Sequence, residues 1–151
     1  MQARIKNPAA IVPGAMQAIQ ALMASAQKAG TPPKVLHLVH LRTSQVNGCG
    51  ACVDYGVKHA KQGGETDERL FAVSAWRETR YFSDAERAAL ALAEAVTRLA
   101  DCADPVPDDI WAEATKHYDE GALSGLVLWI ATTNLFNRLN VTTRQVAGEA
   151  W

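Results

Sequence analysis

The chain has 151 residues, 48% of them hydrophobic and 21% charged, enough for one domain with a buried core and ordinary for a globular protein. Its net charge is −1 with Lys and Arg scattered, which excludes a nucleic-acid footprint, and no apolar run nears the ~18 residues of a membrane span. The N-terminus carries two positive charges without a long apolar core or cleavage pattern, so no signal peptide is read, and three cysteines in a chain that needs no disulfide staples point to a reducing, cytoplasmic setting.

Strand-like alternation and internal repeats are missing from the sequence, and good helix formers dominate. The pattern predicts an all-α, single-domain helical bundle of about seven helices spanning 1–151. A first helix is expected from about Pro13 to Ala29, with Ile19, Leu22, Met23 and Ala26 on one face and Gly30 past its end. Thr31-Pro32-Pro33 restarts a helix, with Thr31 as cap, and Asn47-Gly48 breaks it. A third helix runs from Cys49 to Gly63-Gly64. Thr66-Asp67-Glu68 opens the fourth, with carboxylates where the helix dipole favours them. Ser83-Asp84-Ala85-Glu86 reads as a capping box for the fifth. After the Asp104–Pro107 linker, a short helix reaches Tyr118. Asp119 then caps a last long helix to about Asn140, apolar on most faces and therefore expected inside a core or between subunits. Trp76, Trp111, Trp129 and Trp151 are spread too widely for a stacking platform and read as packing.

The chemistry concentrates in Ser44-Gln45-Val46-Asn47-Gly48-Cys49-Gly50-Ala51-Cys52. Cys49 and Cys52 fall at i and i+3 on one helical face. The first turn of a helix offers unpaired N–H groups and the positive end of the dipole, both of which stabilise a thiolate. Such a pair can do thiol–disulfide chemistry, bind metal, or be two small buried residues. A structural zinc site needs four ligands, and no second Cys-x-x-Cys or paired His set exists, so neither metal nor cofactor is expected. Cys102, beside Asp101, reads as an incidental thiol. His40 and His117 read as surface or interface residues.

The run from His37 through Cys52 resembles the alkylhydroperoxidase D-like branch of the carboxymuconolactone decarboxylase family. The likeness continues in Trp76–Thr79, Phe82–Leu90, Ala93-Glu94-Ala95 and Asn134–Leu139, in that order. The resemblance implies an all-helical subunit forming a homotrimer or homohexamer. It also implies reduction of organic or hydrogen peroxides through a Cys49–Cys52 disulfide, with an external dithiol protein as reductant. By the family pattern Cys52 attacks the peroxide and Cys49 resolves the sulfenic acid, whereas position at the helix start favours Cys49 as the more acidic thiol. Alternatives are a thiol–disulfide oxidoreductase or redox sensor, or a non-redox enzyme of the decarboxylase type, which has no need of vicinal thiols.

The sequence departs from that family at both proton-handling positions. Twelve residues before Cys49, where the family has Glu, stands His37; four after Cys52, where it has His, stands Gly56. His37 is therefore the candidate base, with Gly56 leaving room for it, for a substrate or for close helix packing. His59 is a second candidate, about 10 Å along the helix from Cys52. Asn137 and Arg138 match a family signature, with Arg138 expected in a structural or interface role.

Overall fold

The computed structural model describes residues 1–100 and 102–149. Among them the chain forms eight α-helices and one 3₁₀ segment, with no strand. The helices are α1 (Pro8–Ile11), α2 (Ala15–Gln27), α3 (Pro33–Val46), α4 (Gly50–Gln62), α5 (Asp67–Ala72), α6 (Asp84–Thr97), α7 (Asp108–His117) and α8 (Glu120–Thr143), and the 3₁₀ segment is Val73–Glu78. The all-α expectation holds. The extra element is α1, a single turn capped by Asn7 and too short to leave a periodic signal. Trp151 and Asp101 lie outside the described residues.

Local capping explains most boundaries. Ser83 and Glu86 form the capping box, Thr66 caps α5 and Asp119 caps α8, each as the sequence indicates. Thr31 does something else. Pro32 is the residue that precedes α3, and the Thr31 hydroxyl donates to the Ala122 carbonyl at 2.7 Å, tying the start of α3 to α8.

Helix α3 is the centre of the bundle and packs against α4, α6 and α8. One apolar cluster joins α3 to α6 and α8 through Leu36, Val39, Leu92, Leu126 and Ile130; a second joins α3 to α4, α5 and α6 through Leu38, Leu41, Ala60, Leu70 and Leu90. Trp76 and Trp129 are buried with their indole N–H groups donating to Glu94 and to the Leu36 carbonyl, whereas Trp111 is half exposed.

Helix α8 differs from its expected all-round apolar surface. Its first half buries Leu123, Leu126, Trp129 and Ile130 with Leu128 facing outward, but its second half buries Thr133, Asn134, Asn137 and Asn140 while Leu135 and Val141 face outward. Buried amides must be hydrogen-bonded to be tolerated. Most of their partners lie at the α3–α4 turn, and Thr97 and Asn7 supply others.

Candidate redox site

The α3–α4 hairpin places the two thiols. Asn47 ends α3, and Gly48 turns the chain with φ +65, a conformation a side chain would strain. The Cys49 N–H then reaches back to the Ser44 carbonyl at 3.0 Å, and Cys49 becomes the N-cap residue of α4 with Cys52 in its first turn. Both are free thiols and nearly sealed, Cys49 at 1% and Cys52 at 3% exposure, with Phe136 packed against them.

The asparagines of α8 form a cradle over this turn. Asn47 Nδ2 donates to Oδ1 of Asn134 at 2.9 Å and of Asn137 at 2.8 Å, which turns the Asn137 amide nitrogen toward Ser44 Oγ at 3.2 Å. One helical turn on, Asn140 Nδ2 lies 3.1 Å from Cys52 Sγ, and its Oδ1 accepts from Asn7 Nδ2 at 2.7 Å. A spacing of three residues puts all three amides on one inward stripe of α8.

The two sulfurs divide one proton unevenly. Cys49 is lowered to about 7, first because the Cys52 thiol hydrogen-bonds to it, against the opposing effect of burial, with the Asn140 and Asn137 amides assisting. Cys52 is pushed up, first by donating that bond and then by burial, although the same two amides act to lower it. Asn140 donates to Cys52 at 3.1 Å, and the bond from the Cys52 thiol to Cys49 favours ionisation of Cys49 first, the two thiols titrating as one coupled pair.

The structure separates the histidines along α3. His37 lies against Gly63 at the far end of α4, where a Cβ on that glycine would meet its Cε1 at 2.8 Å. Gly63 is eleven residues past Cys52, about 16 Å along the axis. The structure therefore does not bring His37 to the Cys pair. Burial lowers its pKa, His59 lowers it further and Glu65 opposes them, and its Nδ1 is buried with no hydrogen-bond partner among the described residues. His59 is exposed and stacks on Tyr55 with ring centroids 4.0 Å apart, two turns beyond Cys52.

His40 is the imidazole at the pair. It is buried rather than at the surface, and its Nε2 lies 3.2 Å from the Cys52 carbonyl. A carbonyl only accepts, so Nε2 carries the proton and donates. Burial drives the His40 pKa down to about 4 against the raising effect of that bond, with His37 and His59 lowering it further, so the ring is neutral near pH 7. Its place is bought by Gly56: a Cβ there would lie 2.7 Å from His40 Cδ2 and 3.2 Å from Nε2. The missing side chain on α4 makes room for an imidazole supplied by α3.

Residues 13–95, more than half of the chain, match the family model described as the carboxymuconolactone decarboxylase family. The chain belongs to that family. YdfG, an uncharacterized protein of Bacillus subtilis, is 38% identical over 104 residues, 69% of this chain and 69% of that protein. YnjA, an uncharacterized protein of Escherichia coli, is 39% identical over 110 residues, 72% of this chain and 58% of that protein. A solved structure of an Agrobacterium tumefaciens protein of unknown function, proposed to be the antioxidant defence protein AhpD, matches at 32% identity with a TM-score of 0.89, over 99% of this chain and 100% of that one. The debrominase Bmp8 shares the fold at 21% identity, with a TM-score of 0.81 over 93% of this chain and 74% of that one. The family match ends at residue 95, so the α8 amides lie beyond it.

Sequence reasoning missed Asn7 and Asn140, and it read His40 as a surface or interface residue. The usable signal was the three-residue repeat Asn134, Asn137, Asn140 on an otherwise apolar helix. Arg138, expected to be structural or at an interface, is exposed and donates to the Asn134 carbonyl at 3.3 Å. Cys102 is exposed, and among the described residues no group of three or more His, Cys, Asp or Glu could hold a metal ion. No helix among them is long and apolar enough to cross a membrane.

Proposed function

We propose that this family member reduces hydroperoxides with Cys49 and Cys52, which cycle between dithiol and disulfide. The observation that carries the reading is the placement of two free, vicinal thiols in the first turn of α4, with the Asn140 amide nitrogen 3.1 Å from Cys52 Sγ. It readies a thiolate, the form that attacks peroxides, without a neighbouring base. We assign the attack to Cys49, reversing the order the resemblance implies, because Cys49 sits at the N-cap of α4 and its pKa is lowered by the bond it receives from the Cys52 thiol.

In the first step the Cys49 thiolate forms a bond to one peroxide oxygen, the O–O bond breaks, and the alkoxide leaves with the Cys52 proton as an alcohol. Cys49 is then a sulfenic acid and Cys52 a thiolate. Cys52 attacks the Cys49 sulfur, the S–S bond forms, and hydroxide leaves. Two sulfurs are each oxidised by one electron and the peroxide is reduced by two. An external dithiol protein returns the electrons by exchange. Gly48 and Gly50 have nothing within 4 Å of their Cβ positions, so no side chain crowds the backbone on either side of the buried Cys49. His40 holds the first turn of α4 through the Cys52 carbonyl and takes no proton in this scheme.

One observation favours a second reading, a thiol–disulfide oxidoreductase with little peroxidase activity: His37, the candidate base, sits about 16 Å along α4 from the pair. Cys49→Ser and Cys52→Ser separate the two. With cumene hydroperoxide, Cys52→Ser should accumulate a dimedone-reactive sulfenic acid on Cys49, and Cys49→Ser should be inert. Exchange with a disulfide substrate but no sulfenic acid in Cys52→Ser would favour the oxidoreductase. The outward Leu128 and Leu135 of α8 are where we place the contact between copies in a homo-oligomer.

A further inference from the structure

The N-terminal segment reaches the thiol pair through a single side chain. The Arg4 N–H bonds the Thr143 carbonyl at 2.9 Å, and Gln145 Nε2 bonds the Ile5 carbonyl at 2.8 Å, which lays this segment along the end of α8. Asn7 follows, 7% exposed, against Asn140. Its orientation has only one solution. The backbone N–H of Ala9 can only donate, and it points at Asn7 Oδ1 at 2.9 Å. Asn7 must therefore present Nδ2 to Asn140, at 2.7 Å, so Asn140 must present Oδ1. That leaves the Asn140 nitrogen, and not its oxygen, on Cys52 Sγ at 3.1 Å.

We propose that Asn7 is a positioning residue for the redox pair: the N-cap of α1 fixes the rotation of the Asn140 amide, and so keeps a donor rather than an acceptor on the sulfurs. The proposal rests on the reading that Cys49 and Cys52 are the reacting pair. A cap alone would not need an amide, since Asp or Ser accepts the Ala9 N–H equally well. An amide is the cap that can accept on one side and donate on the other. Were Asn140 turned over, its carbonyl oxygen would face Cys52 and oppose a thiolate on either sulfur.

The other charged and titratable groups around the pair are engaged elsewhere. From α3, His40 sits on the Cys52 carbonyl. On α4, Asp54 takes Lys58 and the Gly148 N–H, and Tyr55 stacks on His59. On α8, Arg138 is on the Asn134 carbonyl, and in the N-terminal segment Arg4 is on the Thr142 carbonyl.

The test inverts one hydrogen bond and keeps the cap. In a Cys102→Ser background, which silences the exposed third thiol, Asn7→Asp retains the acceptor for Ala9 but offers Asn140 an acceptor, which turns that amide over. The pH midpoint of iodoacetamide alkylation should rise by about one unit, which leaves roughly tenfold less thiolate at pH 6. In an Asn140→Leu background the same substitution should move the midpoint far less. An unchanged midpoint in folded Asn7→Asp would overturn the proposal and leave Asn7 as a helix cap only. An equal shift with and without Asn140 would overturn it too, by tracing the effect to the new charge. If Asn7→Asp fails to fold, Asn7→Ser keeps the cap, removes the donor and should raise the midpoint; no change there counts against the proposal. The readout needs no peroxide, so a failed peroxidase assay and a failed relay are told apart.

Discussion

Gly56→Ala is the sharpest perturbation of the α3–α4 interface. On an isolated helix it would stabilise, since Ala is favoured over Gly by about 1 kcal/mol. Here the new Cβ would sit 2.7 Å from His40 Cδ2 and 3.2 Å from Nε2, within a ring held between the Cys52 carbonyl and Thr133. The imidazole must move, so the substitution carries an overpacking cost of about 1–3 kcal/mol and loses a hydrogen bond of about 1 kcal/mol. The net loss should be about 1–3 kcal/mol, a fall in Tm of roughly 3–10 °C for a chain of this size. Calorimetry on Gly56→Ala, His40→Ala and the double variant measures it. With the ring gone the methyl has space, so Gly56→Ala in the His40→Ala background should be neutral or stabilising, a coupling of about 2 kcal/mol or more. A Gly56→Ala protein as stable as wild type, or one that costs the same in both backgrounds, would refute the exchange of an α4 side chain for an α3 imidazole.

Burial lowers His40 to about 4 from an ordinary 6.5, so the unfolded chain binds the extra proton between those values. Stability from this residue is complete above pH 6.5 and lost as pH falls toward 4, by about 3 kcal/mol, and His40→Gln should flatten that slope in urea titrations at pH 7 and 4.5. Burial alone would raise the Glu94 carboxyl, but the Trp76 indole N–H and the Arg77 and Arg42 guanidinium groups outweigh it and hold it low. Glu94→Gln leaves Arg42 unpaired and should cost about 3 kcal/mol by chemical denaturation, while Arg77→Ala, at an exposed partner, should cost under about 1 kcal/mol. Asn137→Leu removes one amide from the cradle and should raise the alkylation midpoint of the Cys pair by about half a unit to one unit.

How much of this was legible depends on the range of each signal. The caps at Thr66, Ser83 and Asp119 are local, and the sequence shows them because the partner N–H lies within three residues. The Cys pair is legible for the same reason: its spacing alone puts both sulfurs on one turn. The identity of the imidazole is not local. Placing His40 rather than His37 beside the pair needs the register of α3 against α4, which is set by the length of the Asn47–Cys49 turn and by packing. Gly56 and His40 are individually unremarkable; their meaning is joint. The amides of α8 were hidden by the helix that carries them, because Leu128 and Leu135 suggest an apolar interior that these residues do not enter. Asn7 and Asn140 are 133 positions apart and carry no sequence sign of contact.

The most direct measurement is a stopped-flow titration of fully reduced Cys102→Ser protein with one equivalent of cumene hydroperoxide, with thiols counted and the disulfide mapped by mass spectrometry. The account predicts that two thiols disappear together, faster by orders of magnitude than a free small thiol at the same pH, and that the product is a Cys49–Cys52 disulfide. Loss at the rate of a free small thiol, or oxidation without that disulfide, would contradict it.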